Sequence, residues 1–288
     1  MSENTISGTL TKNAALVVAG VYDRIIEASL ERVWENVYDW EHLPYLHSEA
    51  FTSIECVDSG DWGWRARVAM SGGAHANIEL IANRAETTGA MDAMDGTGHY
   101  VARTLDGAGA PSEIWTSLAS LGETRTAIHV EFCVEPIPEE ALANLGRGFK
   151  GLYTKLWDQD EKMMQTRTVA LADHQESFAI TPEKLLLGPI EALRPRLPMV
   201  FELGGHSFRL VELEGELVTH STQCAHLLGP LGECEVSKGA IICPWHGYEF
   251  DIRTGKSRRT PNGRSYRLRP APKIDIDPTS GEVVLFQD

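Results

Sequence analysis

The chain has 288 residues, with 41 acidic and 26 basic side chains and a formal net charge of −15. That length suits two domains with a core each, and the acidic balance argues against a nucleic-acid partner. No apolar run approaches the roughly 20 residues of a membrane span, and the opening MSENTISGTLTKN lacks the basic-then-apolar order of a secretory signal, so the sequence reads as cytoplasmic with no membrane partner.

Residues 17–27 read as a strand. From Ala28 to about His42 the spacing is helical, with Leu30, Val33, Trp34 and Val37 on one face and Ser29 as the N-cap. Six strand-like runs follow, at 51–57, 62–70, 76–82, 99–105, 113–119 and 126–134, with Gly, Asp or Asn in most of the gaps. They predict an antiparallel sheet. Trp62, Trp64 and Trp115 on that sheet are expected in the core or around a pocket, and His75, His99 and His129 as structural or cavity-lining groups.

From 138 to about 172 the period is helical again, and Leu142, Leu145, Phe149, Leu152 and Leu156 form a stripe. One long helix after a curved sheet predicts a cavity between them. The order of strand, helix, six strands and long helix resembles the helix-grip fold of the START/Bet v 1-like superfamily, an α+β architecture. Residues 173–198 hold Pro182, Pro189, Pro195 and Pro198 and read as a linker with one short helix, and residues 199–288 read as a small all-β domain.

The five cysteines are Cys56, Cys133, Cys224, Cys234 and Cys243. An odd count argues against a disulfide framework. Cys56 and Cys133 sit in apolar runs and read as core thiols, whereas Cys224 and Cys243 each have a histidine close behind. The pattern is CAH at 224–226 and CPWHG at 243–247. A Cys2His2 zinc site is one reading, but here each loop supplies one Cys and one His. That arrangement resembles the Rieske [2Fe–2S] domain. The resemblance implies Cys224 and Cys243 on one iron and His226 and His246 on the other, a ligand set that raises the cluster potential. No extra cysteine accompanies each loop, which resembles the oxygenase and ferredoxin type more than the respiratory type. Residues 253–269 hold seven basic residues and no acidic one, which is either a solvated face or a docking patch for an acidic ferredoxin or reductase domain.

A mononuclear non-heme iron takes two histidines and one carboxylate, with open positions for O2. Glu35 to His47, ENVYDWEHLPYLH, offers His42 and His47. Five residues of plain helix turn about 500°, leaving these two about 140° apart. Pro44 is expected to disfavour helical geometry at Leu43 and let His47 swing toward His42. Asp39 shares a face with His42. Continuing the long-helix stripe past Leu156 lands on Asp160, a carboxylate at a core-facing position, where an unpartnered charge is costly. Asp158 and Glu161 lie off the stripe.

The segment E-N-x-x-D-x-x-H-x-x-x-x-H, with Gln159-Asp160 on the last long helix, resembles the catalytic domain of Rieske non-heme iron oxygenases, the aromatic-ring-hydroxylating alpha-subunit type. The resemblance implies His42, His47 and Asp160 as ligands of a mononuclear Fe(II). It implies Asp39 as a catalytic bridge to a Rieske histidine, and Asn36 as a neighbour of the iron. It also implies a small hydrophobic or aromatic substrate, a ferredoxin or flavin reductase as donor, and a homo-oligomer, with a trimer favoured. In that family the Rieske domain precedes the catalytic one, whereas here residues 1–172 are the expected catalytic domain and residues 199–288 the Rieske domain. The expected function is hydroxylation, mono- or dioxygenation, or oxidative demethylation. The alternative is a non-catalytic helix-grip ligand-binding protein carrying a Rieske electron-transfer or redox-sensing domain.

Overall fold

A computed structural model describes residues 10–84, 96–176 and 184–287. The chain divides into two units, Met1–Gln165 and Thr166–Asp288. In the first, strands β1 (Val17–Ile26), β2 (Phe51–Gly60), β3 (Gly63–Met70), β4 (His75–Arg84), β5 (Thr97–Gly107), β6 (Ser112–Ser120) and β7 (Thr126–Val134) form one sheet in the order β1-β7-β6-β5-β4-β3-β2. Every pairing is antiparallel. Helices α1 (Leu30–Tyr38) and α2 (Leu43–Leu46) connect β1 to β2, and α3 (Glu139–Glu176), whose residues as far as Gln165 belong to this unit, follows β7. This is the helix-grip α+β architecture the element order predicts.

The period-2 alternation of each strand sorts its side chains. On β7, Ile128, Val130 and Phe132 are buried, while His129 between them is exposed. The inward residues meet α1 and α3 in one core containing Val33, Trp34, Val37, Trp64, Tyr100, Phe132 and Trp157. Phe132 stacks on Phe149 at 4.8 Å and meets Tyr153 edge-on at 4.7 Å. Each such ring contributes roughly 1.5–3 kcal/mol on burial. Trp64 donates its indole N–H to the Val37 carbonyl at 3.0 Å, which ties α1 to β3.

The inward face of α3 differs from the predicted stripe. Leu145 and Leu152 are exposed, and the core-facing residues are Phe149, Tyr153, Trp157, Asp160 and Met164. The reason lies at Gly146. A Cβ on Gly146 would stand 2.0 Å from the Ala19 carbonyl oxygen, and one on Gly20 would stand 3.2 Å from the Gly146 Cα. The helix crosses β1 with backbone against backbone, so its contact line runs through a glycine that a search for leucines cannot see.

The other face of the sheet is partly covered as well. Leu10 and Leu16 pack on Val101, Trp115 and Cys133, and the Trp115 indole N–H donates to Glu113 at 2.7 Å. Trp115 therefore belongs to an outer cluster rather than to the main core. His99 and His129 line an outer groove of about 690 Å³, with His129 hydrogen-bonded to Asp23.

The second unit holds β8 (Lys184–Pro189), α4 (Ile190–Leu193), β9 (Met199–Leu203), β10 (His206–Leu213), β11 (Glu216–Ser221), β12 (Val236–Ser237), β13 (Ala240–Ile242), β14 (Glu249–Asp251), β15 (Ser257–Arg259), β16 (Lys273–Ile276) and β17 (Glu282–Phe286). They form three small sheets, β11-β10-β9, β12-β13-β14-β15 and β16-β17-β8. The segment expected as a linker is in part structural. β8 pairs with β17, and Leu193 of α4 is buried with Phe201, Phe208, Val283 and Leu285. Its prolines end β8 and open the following turn, while Leu185, Leu187 and Ile190 supply apolar contacts. Residues 177–183 lie outside the described part.

Gly→Ala substitution at two neighbouring helical sites tests the close approach. Gly148→Ala, with nothing within 4 Å of its added Cβ, is expected to stabilise the chain by up to about 1 kcal/mol through helix propensity. Gly146→Ala is expected to destabilise it by about 1–3 kcal/mol through overpacking. Thermal unfolding of the two variants reads the opposite signs.

Candidate metal centres

In the first unit, α1 ends at Tyr38 and the chain breaks at Asp39 (φ −88°, ψ 84°). A single 3-10 turn, Trp40–His42, leads into α2. Pro44 occupies the first turn of α2, where its missing N–H costs nothing, and Leu43 before it is helical (φ −49°, ψ −50°). The break is therefore at Asp39, upstream of the position the proline predicts. His42 precedes α2 and His47 caps its end (φ −105°, ψ 38°), which brings the two rings to 5.0 Å with their planes 76° apart.

Asp160 meets them from α3. Its Oδ1 lies 3.0 Å from His47 Nε2 and 3.6 Å from His42 Nε2. One ligand atom from each of His42, His47 and Asp160 falls within 4.8 Å of the others. The three residues are only 3, 2 and 7 % exposed. On the far side of each imidazole stands an oxygen, with Gln159 Oε1 2.7 Å from His47 Nδ1 and Asp39 Oδ2 3.6 Å from His42 Nδ1. Burial pulls the His47 pKa down, but Asp160 and then Gln159 outweigh it and hold it raised. A cation taken up here displaces that proton.

The flanking carboxylates do other work. Arg24 on β1 binds Asp158 at 2.6 Å and Glu161 at 2.5 Å, and Glu161 also accepts from the Glu27 backbone N–H at 2.7 Å. These contacts hold α3 on both sides of Asp160. Asn36 sits one turn before Asp39, where its carbonyl accepts the Asp39 N–H at 3.2 Å and its Oδ1 is buried. Tyr100 and Tyr153 face the same interior. Burial, with a smaller effect of Asp160, raises both phenols, Tyr100 to about 12.

Two buried imidazoles and a buried carboxylate form the 2-His-1-carboxylate donor set that suits a divalent non-heme iron. The geometry fits such an ion better than the arginine partner that a purely structural Asp160 needs, because Arg24, on the strand beneath α3, is engaged by Asp158 and Glu161. Asp39, expected as a bridge, stands 3.6 Å from His42 Nδ1.

In the second unit two tight turns face each other. In the first, Cys224 N–H donates to Gly229 O at 2.8 Å and Leu228 N–H to Cys224 O at 3.1 Å. In the second, Cys243 N–H donates to Tyr248 O and Gly247 N–H to Cys243 O, both at 2.9 Å. Cys224, Cys243 and His246 are almost fully buried. The His226 and His246 rings stand 4.6 Å apart, and His226 stacks on the buried ring of Tyr248 at 4.3 Å. The two thiols face each other, and this proximity lowers the pKa of Cys243 and raises that of Cys224. Two neighbouring thiols and two imidazole rings edge to face make a four-ligand cradle that fits a [2Fe–2S] cluster.

Gly229 belongs to this cradle and sequence reasoning missed it. A Cβ there would stand 2.7 Å from Cys243 Sγ and 3.1 Å from the indole of Trp245 on the second loop. The basic stretch is also less free than its sequence predicts. Arg253 pairs with Glu214 and Glu216, Arg258 with Asp251, and Arg259 with Glu249, while Arg264 and Arg267 are exposed.

Comparison with known proteins bears on this second cradle. A family model described as the Rieske [2Fe-2S] domain matches residues 183–272. Apoptosis-inducing factor 3 of Mus musculus and of Homo sapiens are each 41% identical over 54 residues, which is 19% of this chain and 9% of theirs, so the chain spans under a tenth of these relatives. Among solved structures, the ferredoxin of carbazole 1,9a-dioxygenase from Nocardioides aromaticivorans IC177 is 23% identical, with a TM-score of 0.29, 35% of this chain and 95% of that one covered. Truncated norcoclaurine synthase from Thalictrum flavum is 17% identical, with a TM-score of 0.35, 53% of this chain and 97% of that one covered. The matched residues contain both Cys–His loops and the glycine between them, and residues 183–272 of this chain are a Rieske [2Fe–2S] domain.

Proposed function

We propose that the chain is a Rieske-type non-heme iron oxygenase, acting on a small hydrophobic or aromatic substrate. The observation that carries this reading is the convergence of His42, His47 and Asp160 within 4.8 Å in a buried position, on a chain that also carries a Rieske domain. An electron-relay domain needs a redox acceptor, and these three side chains are a donor set for one. A mononuclear Fe(II) held there would supply O2 activation and insertion of oxygen into substrate.

The protein's own groups have separable tasks. His42, His47 and Asp160 hold the ion, and three protein donors leave positions open for O2. Asp39 faces the outer nitrogen of His42 at 3.6 Å and steadies that ring. Arg24 holds α3 at the height that presents Asp160. Trp64, Tyr100, Phe132 and Trp157 surround the interior with aromatic surface and exclude water. In the second unit, Cys224, Cys243, His226 and His246 would hold the cluster, which would supply one-electron transfer, with a ferredoxin or flavin reductase as the donor. Mono- or dioxygenation and oxidative demethylation would each draw on electrons that the cluster domain supplies.

Metal analysis tests the reading. The purified chain is expected to hold the two cluster irons and one more for every two acid-labile sulfides. His42→Ala and Asp160→Asn are expected to lose the additional iron and all oxygenation while keeping the sulfide. Gly229→Ala is expected to do the reverse, losing sulfide and cluster iron while the mononuclear site still takes up metal. A wild-type ratio of one iron per sulfide, unchanged in His42→Ala, overturns the proposal.

The exposed arginines of the second unit generate one more expectation. An acidic donor protein docking at Arg264 and Arg267 is expected to reduce the cluster more slowly as ionic strength rises from about 0.01 to 0.15 M, because the Debye length shrinks from about 30 to 8 Å. Stopped-flow reduction that is flat across that range places the donor elsewhere.

A further inference from the structure

We propose that Gln159 is the positioning residue of the mononuclear centre, fixing the tautomer of His47 so that Nε2 presents its lone pair to the metal. This rests on the metal-centre reading above. The ring of His47 lies between two consecutive residues of α3. Nε2 stands 3.0 Å from Asp160 Oδ1, and Nδ1 stands 2.7 Å from Gln159 Oε1. His47 is 2 % exposed, so no solvent competes for either nitrogen.

The chemistry of the contact is directional. The amide oxygen can only accept, so at 2.7 Å Nδ1 must carry the hydrogen and donate it. With the hydrogen on Nδ1, the neutral ring carries its lone pair on Nε2, the nitrogen that faces Asp160. The opposite tautomer sets an Nδ1 lone pair against the amide oxygen and an N–H against the incoming cation. Neighbouring helical residues point about 100° apart. Gln159 and Asp160 thus reach the two nitrogens of one ring from adjacent directions, and the same helical turn supplies a ligand and the group that orients its partner. An outer partner of this kind is worth about 10- to 100-fold in metal affinity. The corresponding oxygen at His42, Asp39 Oδ2, stands farther off, at 3.6 Å from Nδ1.

Cobalt(II) binding to the full chain with its cluster in place measures the effect. Gln159→Met keeps the side-chain length and removes the acceptor. It is expected to weaken cobalt binding by about 10- to 100-fold, with cluster absorbance and thermal unfolding unchanged. Gln159→Glu keeps an acceptor and is expected to restore most of the affinity. In the proton spectrum of the cobalt form, the exchangeable, hyperfine-shifted Nδ1–H signal of His47, assigned by its absence in His47→Ala, is expected to persist in Gln159→Glu and to vanish into solvent exchange in Gln159→Met. Equal affinity and an unchanged signal in Gln159→Met overturn the role of Gln159 and leave the metal centre standing. A wild-type chain whose cobalt uptake is the same as that of His47→Ala removes the centre itself, and this inference with it.

Discussion

A carboxylate on the buried face of a long helix is the constraint to which the first unit answers. Asp160 is 7 % exposed among Trp157, Met163 and Met164. Unpaired, a charge in that position costs several kcal/mol. Two imidazoles approach it from a segment more than a hundred residues earlier, where the helix breaks at Asp39 before His42 and α2 ends at His47. The break at Asp39, the 3-10 turn and the short α2 form one device that turns two nitrogens toward one oxygen. A cation among them would make ligands of three costly buried polar groups.

The same demand explains how α3 is seated. Two close glycines, Gly20 and Gly146, let the helix lie backbone to backbone on β1. About four turns farther along, Arg24 on the same strand grips Asp158 and Glu161. One strand thus fixes the helix at two points, and Asp160 lies at the second. The Rieske domain works differently. Its two ligand turns close through their own backbone hydrogen bonds, and its cradle needs only that Gly229 leave room for Cys243.

That contrast decides what can be read from the sequence. The Cys–His loops are legible because each is a short local turn whose ligands lie two or three residues apart. Asp160 is legible because a charge interrupts an apolar helical period. Leu145 and Leu152 mislead because leucines spaced by three and four can follow either edge of a broad face, and the true contact line passes through Gly146, which carries no hydrophobic signal. Pro44 suggests the hinge because proline marks breaks, but it is equally suited to a first helical turn. Residues 184–198 read as linker because prolines outweigh the apolar residues that pair β8 with β17. Gly229 and the contact that Gln159 makes escape a reading of the sequence for a common reason. Each matters only through an atom from a distant part of the chain, Cys243 Sγ in one case and His47 Nδ1 in the other.

Three carboxylates crowd residues 158–161, and helical phase alone assigns their roles. At about 100° per residue, Asp158 and Glu161 lie roughly 60° apart and share one face, whereas Asp160 is turned well away from the first and by a full 100° from the second. The pair on the shared face meets one guanidinium, which bridges them and holds them at the rim, where Asp158 is largely exposed and Glu161 half-buried. The remaining carboxylate faces the interior, and among the described residues it is the two imidazoles that come within reach of it. Exchanging Gln159 and Asp160 would conserve composition and charge yet set the carboxylate against His47 Nδ1, away from the Nε2 nitrogens of His42 and His47. The chemistry of the site therefore depends on one angle, and Arg24, by holding the neighbours, keeps it.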